Sequence, residues 1–278
     1  MKTRILSAVI GIGLLIPVLW FSDTIVFPIA LSLLAAFAAW ELCACFGVKD
    51  KWFITLPCLA YAVLGPIMTE FVGATVKGYL AFLAMLSYAL FFFLVIVTVF
   101  RSGKEPFSLI ACVSIAVIYA TISFTALALV RRLSGGVYLF GLAFVGAWVT
   151  DTMAYFTGRL LGKHKLCPSI SPKKTIEGSI GGTVFCALGF LLYGFIVHKI
   201  VGVAPNYLML FISGLLISVI AQIGDLAASL IKREQGVKDY GNIMPGHGGV
   251  MDRFDSILPV APTLLVLCGF ASAFAFFY

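Results

Sequence analysis

The sequence predicts an all-α, polytopic integral membrane protein of about nine transmembrane helices, with a polar site facing the cytoplasm. Three observations predict it. Of the 278 residues, 62% are hydrophobic and only 11% charged, against about 25% charged in an ordinary soluble domain. Mean hydropathy is +1.09. The apolar residues fall in runs near the roughly 20 residues that a helix needs to cross a bilayer.

In chain order the expected spans are about 5–21, 25–46, 54–73, 78–100, 107–130, 136–158, 178–199, 207–231 and 256–277. The basic, apolar amino terminus looks like a signal peptide. No small-residue cleavage site follows it, so it reads as a retained first span. A short turn at Ser22–Asp23 separates it from the second. Pro17, Pro28, Pro57 and Pro66 fall inside early spans, which lipid-embedded helices tolerate as kinks. Six of the seven cysteines lie in apolar runs, and their spacing suits neither a disulfide framework nor a metal finger. The chain divides into an amino-terminal region, 1–130, of about five spans, and a catalytic carboxyl-terminal region, 131–278. The latter has about four spans and two cytoplasmic loops.

Lys and Arg set the orientation. With the amino terminus inside, fifteen of the 19 basic residues fall on the cytoplasmic side and four outside: Lys77, Arg131, Arg132 and Lys199. Nine of the fifteen lie in two loops, Arg159–Glu177 and Lys232–Asp255, which also hold His164 and His247. Function is expected there.

Two acids sit inside spans, where an unpaired charge is costly. Asp225 shares a helix face with Ser229, Lys232 and Arg233, so it is either an internal ion pair or a metal-binding carboxylate. Asp151 precedes Tyr155 by one turn among threonines, which by themselves suit helix–helix hydrogen bonds. Asp252 and Asp255, three apart at the start of the last span, either match a helix dipole or join Asp225 around a hard cation. Mg²⁺ favours such oxygen ligands together with substrate phosphates. Gly246, Gly248 and Gly249 permit a turn whose N–H groups approach a phosphate, with His247 between them and Arg253 beside them. Lys173 and Lys174 precede an expected helix start at Thr175–Glu177, a ready anion site unless they only mark topology. Acids for a metal, cations for phosphates and glycines for close approach are the inventory of phosphoryl or nucleotidyl transfer.

The segment "SLIKREQGVKDYGNIMPGHGGVMDRFD", Ser229 to Asp255, resembles the signature of the phosphatidate cytidylyltransferase (CDP-diacylglycerol synthase) family. The matching positions are Ser229, Lys232–Arg233, Lys238–Asp239, Gly241, His247–Gly249, Asp252–Arg253 and Asp255, and "SPKKTIEGSIGG" is similar as well. Met244 stands where the family pattern carries another apolar residue. The resemblance covers roughly the carboxyl-terminal half. It implies a Mg²⁺-dependent nucleotidyltransferase of phospholipid biosynthesis that converts CTP and phosphatidate to CDP-diacylglycerol and pyrophosphate. Under it, Asp225, Asp252 and Asp255 hold the metal, with Asp151 in or near the same pocket. Lys173, Lys174, Lys232, Arg233 and Lys238 take phosphates, with Ser229, Gly248 and Gly249 in the substrate site. His247 and Arg253 stand beside the reacting groups. A second, monovalent cation and a homodimer are left open. The lipid bilayer, in a bacterial plasma membrane, is an expected partner, and nucleic acid is not. The rival readings are a CTP-dependent polyprenol- or phytol-type lipid kinase, which would release CDP, and an ion-coupled transporter using Asp151 and Asp225. "GDLAASLIKR" does not match the acid motif of CDP-alcohol phosphatidyltransferases.

Overall fold

The computed structural model describes residues 13, 17–72, 76–101, 104–243, 248–269 and 276–277. Seven described helices are long and apolar enough to cross a membrane. They are α1 (Val26–Cys45), α2 (Trp52–Ile67, prolonged by a 3-10 turn at Met68–Glu70), α3 (Val76–Phe100), α4 (Phe107–Arg132), α5 (Gly136–Leu161), α6 (Ile176–Val201) and α7 (Tyr207–Glu234). They overlie the second to eighth expected spans. Most of the first span, the end of the ninth, and the residues Met244, Gly246 and His247 lie outside the described residues. The protein is an all-α integral membrane protein, with one two-stranded ribbon among the described residues.

Helices suit this environment because hydrocarbon offers backbone groups no partner, so each segment must satisfy its own. Embedded hydroxyls do likewise. Ser87, Thr98, Ser114, Thr121, Ser123 and Thr125 each donate to the carbonyl four residues back at 2.7–2.8 Å. Large apolar side chains such as Met85, Phe92 and Phe93 on α3, and Leu208 and Ile212 on α7, remain exposed. A soluble protein rarely presents so much contiguous apolar surface, whereas acyl chains cover it.

The chain clusters into two compact units, Met1–Leu129 with Gln235–Arg253, and Val130–Glu234 with Phe254–Tyr278. In the first, fully buried Ala35, Ala38 and Ala39 let α1 approach its neighbours closely. Ser32 Oγ donates to Val63 O of α2 at 2.9 Å. Gly65 of α2 sits against Thr121 and Thr125 of α4, where a Cβ would come within 2.5 and 2.8 Å of side-chain atoms.

In the second unit, α5 and α6 meet through small residues. A Cβ on Gly178 would lie 2.7 Å from Ala154 O, and one on Gly182 would lie 2.9 Å from Thr150 O. Thr150, Ser218, Thr183 and Gln222 join α5, α6 and α7 in one chain of hydrogen bonds of 3.0–3.3 Å. The hydrophilic stretch between α5 and α6 is not a plain loop. It forms an antiparallel ribbon, β1 (Lys165–Cys167) and β2 (Ser171–Thr175). Pro168 follows Cys167 in the connecting turn, which Ile170 N closes onto Cys167 O at 3.2 Å.

The spacing of Asp252 and Asp255 predicts a shared helix face at the start of the last span. The structure has two helices there, α8 (Met251–Phe254) and α9 (Ile257–Gly269), with Asp252 in the first and Asp255 in the turn between them. Pro259 explains the break: it has no N–H to give the Asp255 carbonyl, and its ring opposes a continuous helix there. Asp255 Oδ1 takes the Ser256 N–H at 2.9 Å, offering the backbone a competing local bond.

Candidate functional site

In the second unit, a cavity of about 300 Å³ is lined by residues of α5, β1, β2, α6 and α7. Asp151, Tyr155 and Arg159 line it from α5, where their four-residue spacing puts them on one helix face. Arg159 Nη1 donates to Tyr155 Oη at 3.1 Å. Lys173 and Lys174 line it from β2, and Gln222 and Asp225 from α7.

Local structure fixes the lysines. Thr175 ends β2 and caps α6, its hydroxyl accepting the Gly178 N–H at 3.1 Å. Glu177, in the first turn of α6, meets His164 Nδ1 at 2.6 Å, and its two oxygens accept the His164 N–H at 3.2 Å. The ribbon's entry and exit are therefore both tied to the start of α6. That holds Lys173 and Lys174 over the cavity.

Lys174 Nζ lies 2.6 Å from Asp225 Oδ2. The contact is an ion pair out of line for a hydrogen bond, and Nζ is a buried donor with no aligned acceptor among the described residues. A buried ammonium with donors to spare is suited to an incoming anion. Ser229 Oγ donates to Asp225 Oδ1 at 3.5 Å, from one turn further along α7. The open choice at Asp225 thus gains a partner absent from its own helix: Lys174 of the ribbon.

Asp151 and Asp255 meet through Ser256. Its hydroxyl lies 2.7 Å from Asp151 Oδ2 and 3.4 Å from Asp255 Oδ1. Burial pushes the Asp255 carboxyl up to about 7; the charge of Asp225 adds to this, Lys232 opposes it, Asp151 adds again, and the Ser256 N–H opposes. The three aspartates of this unit therefore feel one another. Lys232 is buried on α7, while Arg233 at its end is exposed.

In the first unit, Asp252 Oδ2 accepts two backbone N–H groups, from Tyr240 at 2.8 Å and Gly249 at 3.0 Å. Gly248 adopts φ +81°, a left-handed conformation that favours glycine, and a Cβ there would lie 2.9 Å from Asp252 Oδ2. Lys238 and Arg253 are exposed. Val250 N and Met251 N donate to the two oxygens of Glu41.

Among the described residues no three His, Cys, Asp or Glu side chains form a ready-made metal cluster. Mg²⁺ does not need one, because it is typically held by one or two carboxylates plus substrate phosphates and water. Asp151, Asp225 and Asp255 fit that open arrangement, and their mutual repulsion is what a cation would relieve.

Several residues escaped the sequence reading. Arg159 was counted only as a topology signal, although it follows Asp151 and Tyr155 at the same spacing. Gln222, 8% exposed, gave no charge signal. Ser256 carries no charge and belongs to no motif in the sequence. Glu41 was visible as an acid inside an apolar run, but it lies far from every motif.

The model of the cytidylyltransferase family matches residues 2–271. A protein of Staphylococcus epidermidis called phosphatidate cytidylyltransferase is 37% identical over 275 residues, covering 96% of this chain and 98% of its own. Proteins of the same name from Staphylococcus haemolyticus and Staphylococcus aureus are each 36% identical over 269 residues, with the same coverage. With a matching model along almost its whole length and relatives of this identity and extent, the chain belongs to the cytidylyltransferase family.

Proposed function

We propose that this protein is a phosphatidate cytidylyltransferase, which joins CTP and phosphatidate into CDP-diacylglycerol and releases pyrophosphate. The observation that carries the reading at the site is Lys174. Its buried Nζ sits 2.6 Å from Asp225 in a cavity lined by charged side chains inside a membrane protein. A cavity of about 300 Å³, at the small end of the roughly 300–1,000 Å³ usual for ligand pockets, suits a phosphate-bearing end better than a whole lipid.

In the reaction, an anionic oxygen of the lipid phosphate attacks the α-phosphorus of CTP. The bond from that phosphorus to the β-phosphate oxygen breaks, and pyrophosphate leaves. The attacking oxygen is already ionised near neutral pH, so no strong general base is needed. Two anions must instead be brought together, and positioning with charge neutralisation supplies that. Lys173, Lys174 and Arg159 bring fixed cations to the cavity. Asp225 keeps Lys174 extended into it. Asp151, Asp225 and Asp255 would hold Mg²⁺, whose chemistry there is neutralisation of phosphate charge. Asp252 is a further acid on which Mg²⁺-dependent turnover rests. Ser229, Lys232, Arg233, Lys238, Gly248 and Gly249 serve substrate binding, with His247 and Arg253 near the nucleotide. The enzyme would sit in the bacterial plasma membrane, and the fifteen-to-four division of basic residues supports an amino terminus and site on the cytoplasmic side.

The test is an assay of purified protein with phosphatidate, CTP and Mg²⁺. Pyrophosphate and a CDP-lipid should appear in equal amounts. CDP without a CDP-lipid would instead indicate a lipid kinase.

A further inference from the structure

The loop that carries Asp252 is tied to α1 by a side chain that the scheme above does not use. Glu41 lies in the last turn but one of α1 and is 2% exposed. Its Oε1 accepts the Val250 N–H and its Oε2 the Met251 N–H, each at 2.9 Å. These are consecutive amides at the entry to α8, so one carboxylate grips both. On the other side of the same turn, Asp252 Oδ2 takes the N–H groups of Tyr240 and Gly249. Two carboxylates thus hold four backbone donors within one short loop.

The loop's composition answers to Glu41. A Cβ on Gly241 would come within 2.6 Å of Glu41 Oε1, and one on Gly249 within 2.3 Å. Neither position has room for any side chain while Glu41 stays where it is. Those two glycines belong to the segment that resembles the family signature, and here their smallness has a steric cause 200 residues away in sequence.

The arrangement is an expensive way to pin a loop. An acid within a membrane span is costly, and the negative charge of Asp252 acts on Glu41 as well. Apolar packing would hold the loop without that repulsion. What only a two-oxygen acceptor supplies is a fixed direction for both amides, and through them for the next residue, Asp252.

We infer that Glu41 is a positioning residue: its carboxylate sets the turn Gly249–Met251, and so the orientation of the Asp252 carboxylate on which Mg²⁺–CTP turnover depends. The inference rests on the cytidylyltransferase reading. Glu41 is assigned no contact with substrate or metal in this reading; it acts through the loop amides it holds.

The test compares wild type with Glu41→Gln, whose amide keeps one acceptor but turns a donor toward the second N–H. Three quantities are measured on detergent-purified protein: amide hydrogen exchange across residues 248–253, half-saturation by Mg²⁺ and CTP, and the KM for phosphatidate. Exchange at Val250 and Met251 should quicken at least tenfold. Half-saturation by Mg²⁺ and CTP should rise about tenfold, with the phosphatidate KM within about twofold of wild type. A lower melting temperature with unchanged Mg²⁺ and CTP half-saturation would mean a structural staple only, and would overturn the inference. So would unchanged exchange at the two amides. If Glu41→Gln does not fold, Glu41→Asp, which keeps both oxygens but withdraws them by one methylene, is held to the same outcomes. A wild type that makes no CDP-lipid defeats the functional reading instead, and the exchange measurement then still decides whether the clamp exists.

Discussion

Lys174 and Asp225 depend on each other. The lysine neutralises an acid in a membrane-embedded helix, and the acid keeps the ammonium extended into the cavity. Lys174→Ala should lower kcat/KM at least tenfold, or about 1.4 kcal/mol of transition-state stabilisation. Steady-state kinetics in mixed micelles would check it; undiminished turnover would remove Lys174 from the site. Asp255 offers a test of its environment. Its carboxyl is raised from 3.8 to about 7 in the fold, mainly by burial. Between those values the unfolded chain has released the proton that the fold retains, so stability falls as pH rises through that window and levels off above about 7. Melting temperatures in chelator, taken from pH 5 to 8, should show that decline in wild type and a flatter profile in Asp255→Asn. Asp225, Asp255 and Lys174 stand out in the sequence because charge is rare in this chain. The Lys174–Asp225 pairing does not stand out, because it depends on how a ribbon folds over a helix 50 residues further on.

At the scale of elements, the spans were legible because hydrocarbon demands long uninterrupted apolar runs, and α1 to α7 overlie seven of those expected. Two features were less legible. The β1–β2 ribbon lies in a stretch whose lysines and prolines give little strand signal, and its pairing carries a register irregularity between Lys165 and Cys167. The break between α8 and α9 falls at Asp255–Ser256, just before the last apolar run, and Pro259 reinforces it. The contact between α5 and α6 sets the ribbon's position, because Thr175 both ends β2 and caps α6. Gly182→Val should therefore act twice. Its side chain would press on Thr150 O and Ala154, an overpacking cost of about 1–3 kcal/mol. It should also reduce turnover by displacing Lys173 and Lys174. Thermal melting and kcat on the same preparation would register both effects; a normal melting temperature would contradict the close contact.

For the whole molecule, the fifteen-to-four charge asymmetry predicts that both polar loops face the cytoplasm. A cysteine introduced at Lys163, in a background freed of native thiols, should resist a membrane-impermeant reagent in sealed right-side-out vesicles and react after permeabilisation. Labelling before permeabilisation would reverse the topology. The two compact units account for what motif reading could and could not do. Asp151, Asp225 and Asp255 belong to one unit, and Asp252 with its loop belongs to the other, although Asp252 and Asp255 are three residues apart. In the fold Asp252 accepts from Tyr240 and Gly249, while Asp255 accepts from Ser256. Glu41 shows the converse, an acid remote in sequence that the fold brings onto the Asp252 loop.

Position-specific labelling of CTP separates cytidylyl transfer from phosphoryl transfer. Protein in phosphatidate-containing vesicles receives CTP labelled at either the α- or the γ-phosphate. The α-label should enter the lipid fraction and the γ-label leave as pyrophosphate, with both transfers reduced at least tenfold in Lys174→Ala. Transfer of the γ-label into lipid, with CDP released, would contradict cytidylyl transfer.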